Sequence, residues 1–482
     1  MDKNSYRISD EFSSEEVNQT DFGRIYYNLP KESLSPSSPE ELAQTLKKCN
    51  EASKPVTIRN TGHSINGQTL TSGTQVSVAG IKHVHFDEEA KEITVGAGVS
   101  WDTLLQAIDC PRYIVPVSPQ NPKQKIHAVG NASVGGMGIQ GIKQGGLWNH
   151  VECLTLVTMT GDIISCSREI NPGIFRYALG GFGRIGVIAD ITFRVVNGPE
   201  NVVSLFMVYH DESKYYADVE KALTDPTIDS FVVTESIDNV TFLEKIGIRV
   251  KAMWLIRDLY PSVNIDEQIA DWRSRYKEDF SLILAQRPDI YFFEAMMKHK
   301  VVSKKELIYH YPTSDKVDQL DMLHPWSDHI LPIETYPRFM QEARKIIKKY
   351  GIEKDLLVDS FYHQLDFKLF GGYPIKNISL ETGFDYPLSL NLNNKNPFAM
   401  AIGVMPTVPS DRIDKALAVS KEITDMTYEM GGKRYLYCIH DLTKEQVEQH
   451  FGRETIEEWQ SIKDRLDPKH LLNIGVIEHL DS

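Results

Sequence analysis

Residues 56–68 read VTIRNTGHSINGQ, and this stretch decides the fold. The β-branched run Val56 to Ile58 predicts the end of a buried strand, and the polar stretch after it has glycines at 62 and 67. A strand that ends in such a loop presents successive backbone N–H groups, which can hold a pyrophosphate. Glycine 62 permits close approach of a ligand, and His63 follows it directly. Taken alone, the stretch also fits an ordinary strand-to-loop turn.

Upstream of this stretch, the sequence predicts a helix over residues 39–52. Ser38 can cap it, Pro39 suits its first position, and Glu41 completes a capping box. Downstream, we expect short strands at residues 75–78, 83–86 and 92–95, then a helix over 101–108.

A second glycine-rich region covers residues 128–146, with seven glycines in nineteen residues. So many glycines argue against a packed helix or strand, which leaves a flexible linker or a wall laid against a flat ligand. The apolar residues Val129, Val134 and Met137 favour the wall, because linkers are rich in serine and charge.

A third glycine cluster, residues 180–186, contains G-x-G-x-x-G. A hairpin is predicted before it over residues 151–166, followed by a helix over 172–179, and a strand is predicted after it up to Val196. The dinucleotide fingerprint needs a strand before the glycines and a helix after them, so this order excludes that interpretation.

Length and composition restrict the class of protein. The 482 residues predict two or three domains, and the net charge of −14 argues against nucleic-acid binding. The polar N-terminus lacks a signal-peptide pattern, and no apolar run reaches the length of a membrane-spanning helix. The five scattered cysteines fit a reducing compartment and show no metal-binding spacing. We therefore expect a cytoplasmic protein with neither membrane nor nucleic-acid partners and no metal site.

The three glycine clusters together resemble the FAD-binding domain of the vanillyl-alcohol-oxidase family, which has the PCMH fold. In that family the first loop wraps the FAD pyrophosphate, and a histidine in R-x-x-G-H is often bonded covalently to the flavin. Residues 59–63 match this pattern in order and spacing. Further segments, among them residues 20–23, 324–326, 386–388 and 450–472, look like cytokinin dehydrogenase and span about 460 residues in the same order.

The resemblance implies an α+β fold with a PCMH-type FAD-binding domain of two subdomains and an α+β substrate (cap) domain. We expect a polar tail at 1–19, the FAD-binding domain at 20–198, the substrate-binding domain at 199–435 and a C-terminal return to the FAD-binding domain at 436–482. FAD is expected to be covalently held by His63. The flavin-contacting residues that the resemblance implies are Arg59, Asn60, Thr61, Gly62, His63, Ser64, Gln68, Val129, Gly130, Ser133, Gly135, Gly136, Gly138, Gly186, Val187, Ile188 and Asn473.

Two departures from cytokinin dehydrogenase concern its chemistry. An aspartate takes the substrate proton in that family just before the second glycine loop, where this chain has Asn121-Pro122-Lys123. No acidic residue occurs between Cys110 and Val151, and the glutamine that follows Gly475 in the family is Val476 here. The family's scaffold is therefore expected without its proton acceptor.

The candidates for catalysis are Lys123, Tyr386, His324 and Glu381, with His127 as a further titratable side chain. Lys123 is a base with a depressed pKa, an anchor for an anionic substrate, or an exposed loop residue. The other candidates also fit structural hydrogen-bonding roles.

Three functions stay open. The first is an FAD-dependent oxidoreductase that removes hydride from a C–H next to an amine or alcohol of a small, secondary-metabolite-like molecule, with oxygen or another electron acceptor. The second is cytokinin oxidation with a relocated base, and the third is a flavin-binding protein that has lost catalysis. Because this chain has Asn121-Pro122-Lys123 in place of the family's carboxylate, neutral cytokinins are expected to be poor substrates. If Lys123 faces the flavin, a substrate with a carboxylate or phosphate is expected to gain a charge-assisted contact.

Overall fold

The structure, a computed structural model, describes residues 20–110, 112–119, 126–199, 201–236, 251–259, 264–278, 280–286, 322–352, 369–392, 396–477 and 479–480. Its first sheet is parallel and joins β1 (Glu32–Leu34), β2 (Val56–Arg59) and β3 (Thr74–Ser77) in the order β1-β3-β2. Helix α1 (Pro39–Glu51) lies between β1 and β2 in the chain, and the Ser38 side chain accepts a hydrogen bond from the Glu41 N–H. The capping box and proline therefore set the start of α1 as the sequence predicts.

A five-stranded antiparallel sheet follows. Its strands β4 (Val84–Asp87), β5 (Glu92–Gly96), β7 (Val151–Val157), β8 (Ile163–Ser167) and β9 (Val187–Arg194) lie in the order β4-β5-β9-β7-β8. The elements around this sheet are α2 (Trp101–Ala107), β6 (Tyr113–Ile114), α3 (Ala128–Ser133), α4 (Gly141–Gln144), a 3-10 turn (Leu147–His150), α5 (Pro172–Ala178) and β10 (Val196–Asn197), which pairs with β6. The predicted hairpin, the helix before the third glycine cluster and the strand after it are all confirmed.

The expectation that residues 128–146 form neither helix nor strand is wrong in part. Two short helices, α3 and α4, occupy this region. The glycines between these helices lie where a side chain would collide: a Cβ on Gly136 would lie 2.5 Å from the Asn131 Oδ1, and one on Gly138 would lie 2.3 Å from the Ser118 carbonyl oxygen. Helices of six and four residues that each contain a glycine depend on tertiary packing for their stability.

The third large sheet has eight antiparallel strands. Its strands, in chain order, are β11 (Asn201–Tyr209), β12 (Ser230–Ser236), β13 (Lys251–Leu259), β14 (Phe280–Gln286), β16 (Ser327–Pro332), β17 (Leu369–Lys376), β18 (Phe398–Val404) and β20 (Lys433–Arg434). They lie in the order β14-β11-β13-β12-β17-β18-β16-β20. Two short strands, β15 (Met322–Leu323) and β19 (Val408–Pro409), pair separately.

Helices accompany this sheet and complete the described chain. They are α6 (Glu212–Ala222), α7 (Ile265–Arg275), α8 (Tyr336–Tyr350), α9 (Ser379–Thr382), α10 (Ile413–Glu429), α11 (Lys444–Phe451) and α12 (Arg453–Leu466), with 3-10 turns at Ile333–Thr335 and Ser410–Arg412. Gly431 follows α10 with a positive φ of 76°, and the capping box Thr443-x-x-Gln446 begins α11.

The two faces of the eight-stranded sheet belong to different cores. Leu331 and Ile402 pack with Phe339 of α8 in one apolar cluster. Ile330 and Ala401, one residue along each strand, pack in the cluster that contains the five-stranded sheet. Because strand side chains alternate between faces, β16 and β18 present every second residue to the first half of the chain.

The C-terminal segment returns to the first sheet. The Val56 N–H donates to the Leu471 carbonyl oxygen, and the Asn473 N–H donates to the Val56 carbonyl oxygen, both at 2.8 Å. All strands of the eight-stranded sheet lie between residues 201 and 434. From this distribution we propose the domain boundaries after residues 198 and 435.

Candidate functional site

The loop after β2 forms a concave run of unused hydrogen-bond donors. Among the described residues, no acceptor pairs with the backbone N–H groups of Thr61, Gly62, His63 and Ser64. Four successive free N–H groups make an anion-binding nest suited to a pyrophosphate. The local reason is Gly62, whose φ of +75° turns the chain as side-chain-bearing residues rarely do.

Residues 20–23 brace this loop from outside. The Phe22 N–H donates to the Gly62 carbonyl oxygen at 2.8 Å, and Asp21 Oδ2 accepts from the Gly67 N–H at 2.7 Å and the Ser64 hydroxyl at 3.1 Å. Arg59 donates to the Thr20 carbonyl oxygen at 2.8 Å. The loop is therefore held open by its neighbours and leaves its N–H groups available.

Burial dominates the electrostatics of Asp21. It raises the pKa of the Asp21 carboxyl to about 7, although the Gly67 N–H and the Arg59 charge favour the ionised form. Burial likewise lowers the pKa of Arg59. The brace therefore carries little net charge that would repel a bound phosphate.

The His63 imidazole packs against the Phe22 ring, with the two ring centroids 4.4 Å apart. Desolvation lowers the pKa of His63 to about 4, so its imidazole is neutral at physiological pH. A neutral imidazole has a lone pair on one ring nitrogen, and this is the form that can bond to an electrophilic carbon.

Gln68 anchors the far end of the loop. Its side-chain amide donates to the Leu436 carbonyl oxygen at 2.8 Å, and the Ile65 N–H donates to the Tyr437 carbonyl oxygen at 3.1 Å. Gln68 therefore acts on the loop through the chain at 436–437.

Next to the 61–64 loop lie α3 and the backbone around Ala97. The Ala97 carbonyl oxygen accepts from the Asn60 amide at 2.6 Å, and the His127 Nδ1 lies 3.3 Å from it. The side-chain oxygens of Asn60 and Asn131 are buried, and no described residue donates to them. Buried amide oxygens normally have partners, so these two mark places for ligand donors.

The second and third glycine clusters are hydrogen-bonded to each other. Gly180 donates to the Ala132 carbonyl oxygen at 3.1 Å, and Phe182 donates to the Ser133 carbonyl oxygen at 2.9 Å. Val129 is buried in α3, while Gly135, Gly136 and Gly138 follow that helix. Gly186, Val187 and Ile188 begin β9, which pairs with β7.

Asn473 clasps the first and third clusters together. Its Oδ1 accepts from the Ile58 N–H at 2.9 Å, and its amide donates to the carbonyl oxygens of Phe182 and Gly183 at 3.1 and 3.2 Å. The side chain of Asn473, a predicted flavin-contacting residue, thus forms hydrogen bonds to backbone groups of the protein.

The donor and acceptor pattern fits FAD. The nest at 61–64 suits its pyrophosphate, the orphan oxygens of Asn60 and Asn131 suit hydrogen-bond donors of a ligand, and Gly130 faces open space apart from an Asn60 contact at 3.8 Å. The structure therefore brings together the predicted residues of the first loop with those of α3.

The catalytic candidates occupy different places. His324 is buried beside the loop, stacked on Phe22 at 5.1 Å, with Nδ1 3.2 Å from the Thr407 hydroxyl. Tyr386 is buried among Phe175 and Phe384. Glu381 is exposed on α9 and pairs with Lys376 at 2.5 Å. Lys123, with Asn121 and Pro122, lies outside the described residues.

Asp328 was not among the residues predicted from the sequence. It lies on β16, two positions after the Trp326 that packs edge-on against Phe22 at 4.9 Å. The Tyr437 hydroxyl donates to Asp328 Oδ2 at 3.3 Å, and Oδ1 is buried without a partner among the described residues. The signal for it in the sequence is weak: Asp328 is an acidic residue in an otherwise mostly apolar strand that directly follows His324-Pro325-Trp326.

Comparison with known proteins agrees with this geometry. A family model described as an FAD-binding domain matches residues 30–167, the part that holds the first loop, α3 and β7. The chain carries an FAD-binding domain. It is 23% identical to cytokinin dehydrogenase 2 of Arabidopsis thaliana over 94% of this chain and 90% of that protein. The same identity holds for cytokinin dehydrogenase 4 of Oryza sativa subsp. japonica over 97% and 90%.

A shorter match is to a protein that is named for a different activity. The chain is 26% identical to a D-lactate dehydrogenase of Anaerostipes hadrus over 38% of its own length and 40% of that protein. The predicted α+β fold with a PCMH-type domain and the resemblance to cytokinin dehydrogenases are confirmed, as is the expectation of an enzyme, since these relatives are named dehydrogenases.

No helix in the described parts of this FAD-binding chain is long and apolar enough to span a bilayer.

Proposed function

We propose that this chain is an FAD-dependent oxidoreductase that removes hydride from a C–H next to an amine or alcohol of a small molecule, with flavin held covalently by His63. The observation that carries the proposal is the run of free N–H groups at residues 61–64, which includes His63 itself. This nest would hold the pyrophosphate of FAD, and the His63 imidazole that would bond to the flavin belongs to the same loop.

When bound, FAD supplies a two-electron acceptor for hydride. The chain's own residues would then do three things. The loop at 61–64 binds the pyrophosphate, α3 orients the rest of the cofactor, and the eight-stranded sheet excludes water from the reacting carbon. Reoxidation uses oxygen or another electron acceptor.

The covalent tether has a direct test. Wild-type protein precipitated with acid should retain its yellow colour in the pellet, whereas His63→Ala should release all its flavin into the supernatant. The chain has no cysteine at residues 128–138 that would form a second linkage, so the single variant decides. Wild-type flavin found entirely in the supernatant would refute the tether.

The hydride reaction is tested by anaerobic bleaching of the flavin with defined probes: isopentenyl adenine, D-lactate, benzyl alcohol and benzylamine. We expect at least one amine or alcohol to reduce the flavin. A flavin that binds normally but is bleached by none of these probes, although dithionite reduces it, would favour the third function, a protein that has lost catalysis.

A second candidate function is cytokinin oxidation with a relocated base. The observation that favours it is Asp328, a carboxylate on the sheet face that packs against the FAD-binding part of the chain. The similarity to cytokinin dehydrogenases over most of the chain also supports it. Rapid bleaching by isopentenyl adenine would select this function, and selective bleaching by D-lactate or an alcohol would select a different substrate class.

A further inference from the structure

We propose that Asp328 is the proton acceptor of the reaction, with Tyr437 as the residue that positions its carboxylate. This inference rests on the proposed oxidoreductase function and deepens it. It assigns the base that the sequence lacks at residues 121–123, and it implies a substrate that presents N–H or O–H to the sheet.

The position of Asp328 on the sheet shows which face its side chain occupies. Asp328 pairs with Gly403 of β18, and a Cβ on Gly403 would lie 3.1 Å from Asp328 Oδ1. Ile330, two residues along β16, packs in the core that includes the five-stranded sheet. Since residues two apart share a face, the Asp328 side chain lies on the face turned toward the FAD-binding part of the chain.

Tyr437 connects this carboxylate to the His63 loop. Its carbonyl oxygen accepts from the Ile65 N–H at 3.1 Å, while its hydroxyl donates to Asp328 Oδ2 at 3.3 Å. A second route runs through rings, from His63 to Phe22 at 4.4 Å and from Phe22 to Trp326 at 4.9 Å. Two short series of contacts, one through Tyr437 and one through Phe22, thus connect Asp328 with the loop that contains His63.

The Asp328 carboxylate has a free acceptor. Oδ1 is shielded from solvent and accepts no hydrogen bond from the described residues, although an ionised carboxylate normally takes several. In the described part of the chain the Asp328 carboxylate forms no ion pair: the Arg434 guanidinium donates to the Asp328 backbone oxygen at 3.0 Å and to the Ile439 carbonyl oxygen at 2.7 Å. A substrate N–H or O–H is a suitable donor for this oxygen.

The titration of Asp328 suits a base. Burial raises its pKa to about 6, against the opposing effects of the Arg434 charge, the Cys438 thiol and the Tyr437 hydroxyl. Burial, and to a lesser extent the nearby Asp328 charge, raises the pKa values of Tyr373 and Tyr435, so both are neutral at physiological pH. Near pH 7 the carboxylate is therefore mostly ionised and more basic than an exposed aspartate.

The step balances without a further reactant. The substrate carbon loses a hydride, with its two electrons, to oxidised FAD, and the attached nitrogen or oxygen loses its proton to Asp328. The carbon–heteroatom single bond becomes a double bond. The Asp328 proton then leaves to solvent before the next turnover.

The experiment compares wild-type holoprotein with Asp328→Asn, Tyr437→Phe and, as a matched acid-to-amide control, Asp414→Asn on the exposed start of α10. The first readout is infrared titration of protonated carboxyl groups between pH 4 and pH 8. Wild type and the control should each differ from Asp328→Asn by one carboxyl group with a midpoint near pH 6, whereas Asp21, with a pKa of about 7, titrates in all variants and cancels in the difference. Tyr437→Phe should move this midpoint upward, because the ionised carboxylate loses a donor.

The second readout is the anaerobic rate of flavin reduction by whichever of the four probes reduces wild type. Asp328→Asn should reduce flavin roughly 10²–10⁴-fold more slowly with flavin content unchanged, and its rate should lose the dependence on a group near pH 6. A purely structural role would lower flavin content or thermal stability instead and leave the pH profile in place.

Two results would overturn the assignment. One is an infrared titration in Asp328→Asn that is identical to that of wild type, with no carboxyl group lost near pH 6, and the other is a wild-type rate and pH profile in that variant. If no probe bleaches even wild-type flavin, the proposed reaction fails, and the infrared titration alone decides whether Asp328 is a proton-accepting group.

Discussion

The substitution Gly62→Ala tests the architecture of the pyrophosphate loop. A Cβ at this position would lie 2.4 Å from the Arg59 Nη2, and the backbone has a φ of +75°. Alanine in this left-handed conformation costs ~1–2 kcal/mol. The Arg59 guanidinium would have to move and give up its hydrogen bond to the Thr20 carbonyl oxygen, a charged bond worth ~1.5–3 kcal/mol. We therefore expect a total loss of ~2.5–5 kcal/mol in the free energy of unfolding.

The matched control is Gly383→Ala. Gly383 has a φ of +71°, and a Cβ added there would meet no heavy atom within 4 Å, so this substitution isolates the backbone strain. It should cost only ~1–2 kcal/mol and leave flavin content unchanged. Chemical denaturation monitored by fluorescence gives the free energies, and the ratio of flavin to protein absorbance gives the cofactor content.

A double-mutant cycle with Arg59→Ala separates collision from strain. In that background Gly62→Ala should cost only as much as Gly383→Ala, which gives a coupling of ~1.5–3 kcal/mol with Arg59. Equal costs of Gly62→Ala and Gly383→Ala in the wild-type background would refute the reasoning, because the guanidinium would then move freely.

Three further predictions concern the brace and the C-terminal clasp. The pKa of Asp21 is raised from 3.8 to about 7 in the folded state, so its contribution to stability is fully present below pH 3.8 and is lost as the pH rises through 7. In thermal melting at a series of pH values, the melting temperature of Asp21→Asn should therefore vary less across this range than that of wild type. Lys463 is fully buried and donates to Asp467 at 3.0 Å, so Lys463→Met should lower the free energy of unfolding by ~3–5 kcal/mol, whereas exposed Lys415→Met should not change it measurably by urea denaturation. Asn473→Ala and Asn473→Gly both lose the three side-chain hydrogen bonds of Asn473, whose φ is 47°. By urea denaturation the glycine variant should be more stable than the alanine variant by ~1 kcal/mol, because glycine adopts this φ without strain. Equal stabilities of the two variants would contradict this role of the backbone.

Local sequence signals predicted the elements well where they depend on local physics. The capping box at Ser38 and the turn residues 160–162 act within a few positions, so the start of α1 and the turn of the β7–β8 hairpin depend mainly on nearby residues. The third glycine cluster was likewise placed correctly between a helix and a strand, because element order is written directly in the hydrophobic pattern.

The prediction for residues 128–146 was wrong where glycine content argued against helix. The short helices α3 and α4 form there, and the glycines between them, Gly136 and Gly138, lie where Asn131 and Ser118 leave no room for a Cβ. Local propensity cannot report a packing constraint imposed by another segment.

The sequence by itself determined the loop at 59–68, since strand, glycine and histidine are contiguous there and their order carries the FAD-binding pattern. Only the tertiary structure decided which carboxylate can serve the site. Asp328 is 265 positions from His63 in the chain, and its proximity depends on β16 pairing with β18 and on Tyr437 reaching both the loop and the sheet. Its raised pKa follows from burial, a property that no short stretch of sequence contains.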